Sequence, residues 1–512
     1  MTFADLTQNE VLMAALVGGC AMVTYRVYAV TRKAPLPPGP KGWPIIGNLL
    51  DVPKTFQWLK HAEWHKQYGP IVSLNLLGHT IIYLHNADYV NEISQRRHAA
   101  YSHSPKWAML CEMVGWDRIT VFMSPDAVWK EHRKNFSKLF GSKAAVAKFY
   151  GVEMFEVRRF MRNILREKDK LQDHIRYWTG SLSLKIAYGY ETKAGHDEFV
   201  ELVDETMLQF SVLNEHHRYL VNFLPWMKYL PAWFPGGGFK RTAEIYRNSL
   251  TEMIDTPFKM VQEQLKSGAA KQSFTSDILC AEDYTEEREF SLKTSAASIY
   301  AGGADTTAGQ LHGILLLMLL NEEVQKKAQQ EIDAVIGAER LPDYGDRVNL
   351  PYVEACITEA MRLHTLVPFG GVRVVLEDDN CNGYLLPKGA IIMPNIWEIL
   401  HDPKTYPNPH EYIPERWLVE NPPIHPREFA FGFGRRSCPG MHLADHSLWL
   451  ATTMFLALFD IKPTEGSPTF FDYSDKGVLS GLPICHPKPY KCDIRTRNPK
   501  TEALILSFDN EL

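Results

Sequence analysis

The stretch Phe431-Gly432-Phe433-Gly434-Arg435-Arg436-Ser437-Cys438-Pro439-Gly440 decides the reading of this chain of 512 residues. It packs glycines, arginines and one cysteine into a short turn, and a helix-like run follows at once from Met441 to Leu450. A loop that feeds a helix N-terminus lowers a thiol's pKa, because the positive end of the helix dipole and nearby guanidiniums favour the thiolate. Glycines around the sulfur let the backbone approach a flat partner and turn N–H groups toward it. Under those conditions a single cysteine can hold a metal. The plain alternative is a buried, inert cysteine beside a helix start.

Further motifs lie outward from that loop. Ala301-Gly302-Gly303-Ala304-Asp305-Thr306-Thr307 falls inside a helix predicted from Ser291 to Leu320. Two adjacent glycines in mid-helix cost about 1 kcal/mol each relative to alanine. Their missing side chains would make room for a flat cofactor or for O2, and glycine next to Asp and Thr permits a local widening of the helix. An acid beside a hydroxyl can relay protons. The alternative is that Asp-Thr-Thr caps a new helix after a glycine break. Trp129 and Arg133, four apart on a helical stretch, share one face. The run Lys130, His132, Arg133, Lys134 and Lys138 reads either as a solvated face or as a dock for an acidic electron donor. Glu359 and Arg362, three apart in a helix predicted from Tyr352 to Leu366, can pair; if exposed, the pair is worth a few tenths of a kcal/mol. Pro414-Glu415-Arg416-Trp417 follows.

The spacing Phe-x-x-Gly-x-Arg-x-Cys-x-Gly is filled at Phe431, Gly434, Arg436, Cys438 and Gly440. This resembles the haem-ligand loop of the cytochrome P-450 superfamily, where a cysteine thiolate is the axial ligand of haem iron. The Ala301–Thr307, Glu359–Arg362 and Pro414–Trp417 stretches resemble that family's other motifs and stand in its order. The resemblance implies a mainly α fold, a helical prism with a small β-rich lobe, preceded by one N-terminal transmembrane helix. It implies haem b, with Cys438 on the iron and Trp129, Arg133, Arg373 and Arg436 holding propionates. Asp305 and Thr306 would deliver protons. Glu359, Arg362 and Arg416 would form a charged brace, structural and not catalytic, with Trp417 where phenylalanine is more usual. Gly371-Val372 stands where the family often has a second proline before Arg373, which leaves the chain path there open. Met113, Phe122, Ala301, Val367, Phe369 and Leu479 are the principal substrate-lining candidates, with Met109, Val114, Phe210, Ala297 and Val478 beside them; all are apolar and suit a lipophilic molecule.

Bulk properties agree with an enzyme of this kind. The hydrophobic fraction is 45% and the aromatic fraction 12%, ample for a large core. Net charge is −5, so a global attraction to nucleic acid is not supported. Eight sparse cysteines without paired spacing suit a reducing compartment. No C-x-x-C or H-E-x-x-H pattern occurs, so the linear sequence gives a zinc site no support. Residues 1–34 carry the apolar run Val11 to Val30, followed by Arg32 and Lys33, and read as a membrane anchor. The competing reading is a cleaved signal peptide, against which the acidic start argues. Residues 35–47 form a proline-rich hinge, expected as a stiff extended spacer, and 48–512 the haem-thiolate domain.

Several local expectations complete the reading. Ile71–Leu76 and Thr80–Leu84 form a hairpin; Ser102–Pro125 is a long loop; Gly383–Gly389 and Ile391–Asn395 pair as a small-sheet hairpin; Val478–Pro483 is a β-turn over the site; the chain from Arg495 onward is loosely ordered. The aromatic, proline-broken stretch Val221–Pro235 is either core or an access lid whose tip dips into a membrane. The chain looks like fungal secondary-metabolism members of the family, especially those of mushrooms, acting on a terpenoid or related intermediate. Electrons would come from NADPH through NADPH–cytochrome P-450 reductase, with cytochrome b5 as an optional second donor, at the endoplasmic reticulum membrane. The rivals are sterol, lipid or xenobiotic oxidation, a haem-thiolate isomerase or dehydratase, and a non-catalytic haem carrier.

Overall fold

The computed structural model describes residues 34–507, apart from 98–99, 194, 283, 338 and 475. The anchor expected over 1–34 lies almost wholly outside the described residues. Among those described, no helix is long and apolar enough to cross a membrane.

The chain is mainly helical with a small sheet region. The longer helices in chain order are α1 (Gln57–Tyr68), α2 (Ala127–Phe140), α3 (Tyr150–Arg166), α4 (Leu171–Tyr188), α5 (Glu198–Leu213), α6 (Phe239–Ser267), α7 (Glu289–Leu320), α8 (Glu322–Val335), α9 (Pro351–Leu363), α10 (Met441–Leu458) and α11 (Pro499–Ser507). The organising element is α7. Its 32 residues run about 48 Å at 1.5 Å per residue, and helices α2, α4, α5, α6, α9 and α10 pack against it. Buried residues occur on every face, which explains why its sequence shows no amphipathic stripe. The glycine pair sits inside this one continuous α-helix. The glycine-break alternative is therefore wrong, and the widening that the glycines permit does not occur: the helix is regular throughout.

A four-stranded sheet has the order β1-β2-β6-β3, from β1 (Ile71–Leu76), β2 (His79–Leu84), β3 (Arg373–Val374) and β6 (Ile391–Pro394). The β1–β2 hairpin forms as expected, pairing Ile71 with Leu84. The second expected hairpin does not. β5 (Tyr384–Leu386) pairs back onto β4 (Asp379–Cys381), while β6 runs parallel to β2, with Ile81 opposite Ile391. The four residues of β6 are all buried, so they require the covered centre of a sheet.

Three further expectations are corrected. Ser102–Pro125 is not simply a loop: Ala108–Val114 is a wide helical turn and Trp116–Arg118 a tight one. Met109, Leu110 and Val114 are wholly buried, and such burial erases periodicity. The C-terminal part is ordered: Asp493–Thr496 (β8) pairs with Phe459–Lys462 (β7), and α11 buries Ile505. The proline-rich hinge is extended but not free. The Pro38 carbonyl accepts from Ser73 N–H at 2.9 Å and the Pro35 carbonyl from Leu385 N–H at 2.8 Å. The turn at Val478–Pro483 forms as expected, closed by Ser480 N–H donating to the His486 carbonyl at 2.8 Å.

Candidate functional site

Cys438 lies between the tight turn Gly434–Arg436 and the start of α10. Its N–H donates to the Phe431 carbonyl at 2.7 Å, which closes the loop. Gly434 has φ +54, and a Cβ there would sit 2.6 Å from the Ser94 carbonyl oxygen. No side chain fits, because the obstacle is backbone. Gly371 also takes a positive φ, +67, and faces the buried Phe433 ring at 3.5 Å. The path before Arg373 is thus a left-handed turn into β3, which glycine allows without a proline. The Cys438 side chain is exposed although protein surrounds it at depth, so its sulfur opens onto an interior space. Burial pushes its thiol up; the Gly440 N–H and the Arg133 charge draw it down but do not outweigh burial, so the lowering expected from the loop is not realised in the protein alone.

Three guanidiniums gather beside this loop. Arg133 donates to the Ser437 carbonyl at 2.8 Å, and Arg436 to Ser102 and Met123 carbonyls at 3.0 and 2.8 Å. Arg373 donates to its neighbour's carbonyl, Val372, at 2.5 Å. Arg133 and Arg436 lie over the Trp129 ring, 5.9 and 4.3 Å from its centroid. None of the three pairs with a carboxylate among the described residues. Burial and the neighbouring Arg436 lower Arg373 to about 9; burial and Arg133 lower Arg436 to about 10. Buried cations without an anion are costly, so this cluster calls for external negative charge. Not all of the basic run on α2 faces outward. Lys130, Lys134 and Lys138 are exposed, but His132 is buried between the Thr120 and Thr294 hydroxyls at 2.7 and 3.2 Å. Burial lowers it to about 4, so it adds no charge to the face.

On α7 the two glycines differ. Gly302 is exposed, and a Cβ there would meet nothing within 4 Å. At Gly303 a Cβ would come 2.6 Å from the Ser183 hydroxyl of α4. Gly302 thus leaves the open space; Gly303 serves helix packing, contrary to the expectation that both make room. The Thr306 hydroxyl donates to the Gly302 carbonyl at 2.7 Å. Asp305 points the other way and is gripped by His486 at 3.1 Å. Burial opposes its charge, but His486 and Arg176 outweigh that and hold its carboxyl below the ordinary range. The sequence offered no signal for His486, which reaches Asp305 from far along the chain.

The charged brace assembles in full and is buried. Glu359 accepts from Arg362 at 2.8 and 2.9 Å, from Arg416 at 2.9 Å and from the Trp417 indole N–H at 3.0 Å. Arg362 also donates to the carbonyls of Leu400, Pro409 and Glu411. Glu359 and Arg362 side chains are wholly buried, so the exposed-pair estimate does not apply. Trp417 brings a donor that phenylalanine lacks.

The substrate-lining candidates divide. Met113, Phe122 and Phe210 are half-buried and pack on the core that contains Ala301. Phe122 and Phe210 rings lie 5.7 Å apart, with Trp116 4.3 Å from Phe210. Phe369 is half-buried against Tyr83, and Val367 half-buried beside it in sequence. Leu479 is corrected: it is wholly buried among Phe56, Trp58 and Trp397 and lines no open space. Met109, Val114 and Ala297 are likewise core.

An open thiol, an open helix face at Gly302 and a carboxylate-free arginine cluster fit a flat, dianionic group held by one axial sulfur. The comparisons agree. The sequence profile of the cytochrome P-450 family matches residues 37–491. Cytochrome P-450 monooxygenase 208 of Postia placenta is 40% identical over 98% of this chain and 97% of its own length. Cytochrome P-450 monooxygenase claR of Ampulloclitocybe clavipes is 37% identical over 93% of this chain and 89% of its own. Cytochrome P-450 monooxygenase COX1 of Coprinopsis cinerea is 34% identical, with 93% and 94% covered. The chain belongs to the cytochrome P-450 family and is a monooxygenase of that family, whose cofactor is haem bound through an axial cysteine thiolate. Such enzymes use O2, a substrate and electrons from a redox partner.

Proposed function

We propose that this protein oxidises a lipophilic small molecule in fungal secondary metabolism, a terpenoid or related intermediate, with Cys438 as the axial ligand. The apolar, half-buried wall of Met113, Phe122, Phe210 and Phe369 carries the substrate reading. When bound, haem supplies reductive activation of O2 and transfer of one oxygen atom to substrate, the other leaving as water. Trp129, Arg133, Arg373 and Arg436 would hold its propionates: the cations would supply the charge, and Trp129 lies against Arg133 and Arg436. Thr306 keeps a hydroxyl proton at the open face of α7, anchored through Gly302. The family reading gives Asp305 a share in proton delivery; here it is buried against His486 and has no contact with that hydroxyl among the described residues. The expected product of a panel of lipophilic candidates, incubated with NADPH and a purified reductase, is a mono-oxygenated one. No NADPH-dependent product from any of them would overturn this reading; turnover without NADPH would favour the isomerase.

Membrane attachment has separate support. Trp43, Ile45 and Leu50 near the N-terminus and Trp226, Tyr229 and Trp233 of the aromatic stretch are exposed. Hydrogen bonds between Gln57 and His217, and between His79 and the Phe223 carbonyl, tie the two regions together. Large exposed apolar side chains in such numbers suit a surface that something covers. We place that face on the endoplasmic reticulum membrane, with the catalytic domain in the cytosol and residues 1–34 as anchor. Lys130, Lys134 and Lys138 form the face offered to the reductase or cytochrome b5.

Two predictions follow from α7. Thr306→Ala should cut product per NADPH roughly tenfold, an expected loss near 1.4 kcal/mol of selective barrier lowering, with hydrogen peroxide released in its place. Unaltered coupling would remove Thr306 from the relay. His486→Phe leaves only Arg176 to oppose the burial of Asp305, so its carboxyl rises. In the wild type a depressed carboxyl stabilises the fold above the unfolded value near ~4 and loses that as pH falls through the lowered pKa. The variant should therefore move the acid limb of its pH–rate profile upward. A limb that stays put would show that His486 does not set Asp305.

A further inference from the structure

The sequence holds no linear zinc motif, yet the fold gathers one set of metal-type ligands away from the thiol loop. His65 comes from α1, His85 from the end of β2 and Glu398 from the short helix Ile396–Leu400. One ligand atom from each lies within 4.8 Å of the others. Both imidazoles aim Nδ1 at the same carboxylate: His65 reaches Oε1 at 2.5 Å, and His85 reaches Oε2. The two rings stack, with centroids 5.2 Å apart. Asn395 orients the carboxylate from outside, 3.3 Å from Oε2.

The polar accounting within this group is incomplete. His85 is wholly buried and its Nε2 has no partner among the described residues. His61, one turn before His65 on the same helix, is wholly buried with neither ring nitrogen paired. Its ring lies 6.5 Å from that of His85 and nearly parallel to it. Unpaired buried polar atoms cost roughly 1–3 kcal/mol each. Among the described residues, the side chains that bond the Glu398 carboxylate are the two histidines and Asn395. Two imidazoles and one carboxylate, with their ligand atoms this close, are a zinc-type donor set. His65 is about a third exposed, which leaves a solvent approach and a coordination position for water.

We propose that His65, His85 and Glu398 bind one divalent transition ion of the zinc type. The ion pins α1, the end of β2 and the Ile396–Leu400 helix together. Through His61 and Tyr83, whose rings stack at 3.6 Å, the pin backs Phe369, which both rings touch. No electron or group transfer is involved; binding releases only protons carried by the imidazoles.

The test uses the haem-loaded full chain incubated with Zn2+ and then freed of loose metal by gel filtration. Zinc and iron are counted by elemental mass spectrometry, and the zinc dissociation constant is measured against a chromophoric chelator. About one zinc per haem iron is expected for the wild type, with a thermal midpoint that rises as Zn2+ is added. His65→Ala removes a partly exposed ligand and should weaken zinc binding by at least about tenfold; Glu398→Gln should do the same. Both variants should keep haem content and lose the zinc-dependent rise in midpoint. Stoichiometry well below one in the wild type, or equal zinc retention by the two variants, would overturn the site.

Discussion

Cys438→Ala is expected to abolish oxygenation, with turnover falling at least about 10³-fold, which is roughly 4 kcal/mol of barrier. The carbon-monoxide difference spectrum of the ferrous protein should lose its thiolate-type band. The reason is local. Cys438 is exposed on its loop, and the Gly440 N–H and the Arg133 charge partly offset the burial that raises its thiol. No neighbour can replace it, because Ser437 and Pro439 flank it and Arg133 is committed to the Ser437 carbonyl. Alanine removes no packing of note, since the side chain is exposed. The variant should therefore fold, and far-UV circular dichroism should match the wild type. A thiolate-type spectrum surviving the substitution would mean that another residue is the ligand.

Glu359→Ala should produce the second largest effect, on stability. Glu359 and Arg362 are wholly buried, and Arg416 and the Trp417 indole converge on the same carboxylate. Removing the acid strands two guanidiniums in the interior. Breaking a buried pair in this way costs about 3–5 kcal/mol, against a typical total of about 5–15 kcal/mol. Much of the variant should lack haem, and urea unfolding should begin at lower denaturant. Trp417→Phe is the informative partner: it removes one N–H donor while Glu359 keeps its arginines, and should cost about 1 kcal/mol. A loss below about 1 kcal/mol in Glu359→Ala would show that the pair is not what holds this region.

Residue spacing made the local chemistry legible. The thiol loop, the α7 glycines, the β1–β2 hairpin and the Glu-x-x-Arg pair each depend on residues within one turn or two of each other. Covalent geometry places such neighbours without knowledge of the rest of the chain. The failures share the opposite property. β6 leaves its sequence neighbour β5 to pair with β2, and His132 turns away from a basic run because Thr120 and Thr294 receive it. Leu479 looked like a lining residue and is core.

The sequence by itself determined the family, the haem-thiolate class of chemistry and the order of the motifs, because those rest on fixed spacing around a few reactive groups. Only the tertiary structure decided the division of labour between Gly302 and Gly303, the grip of His486 on Asp305, the donor role of Trp417 and the meeting of His65, His85 and Glu398. Each of these joins segments distant along the chain. Such contacts form only after the entropy of closing long loops has been overcome by burial of the whole core, and no local pattern records which distant partner will arrive.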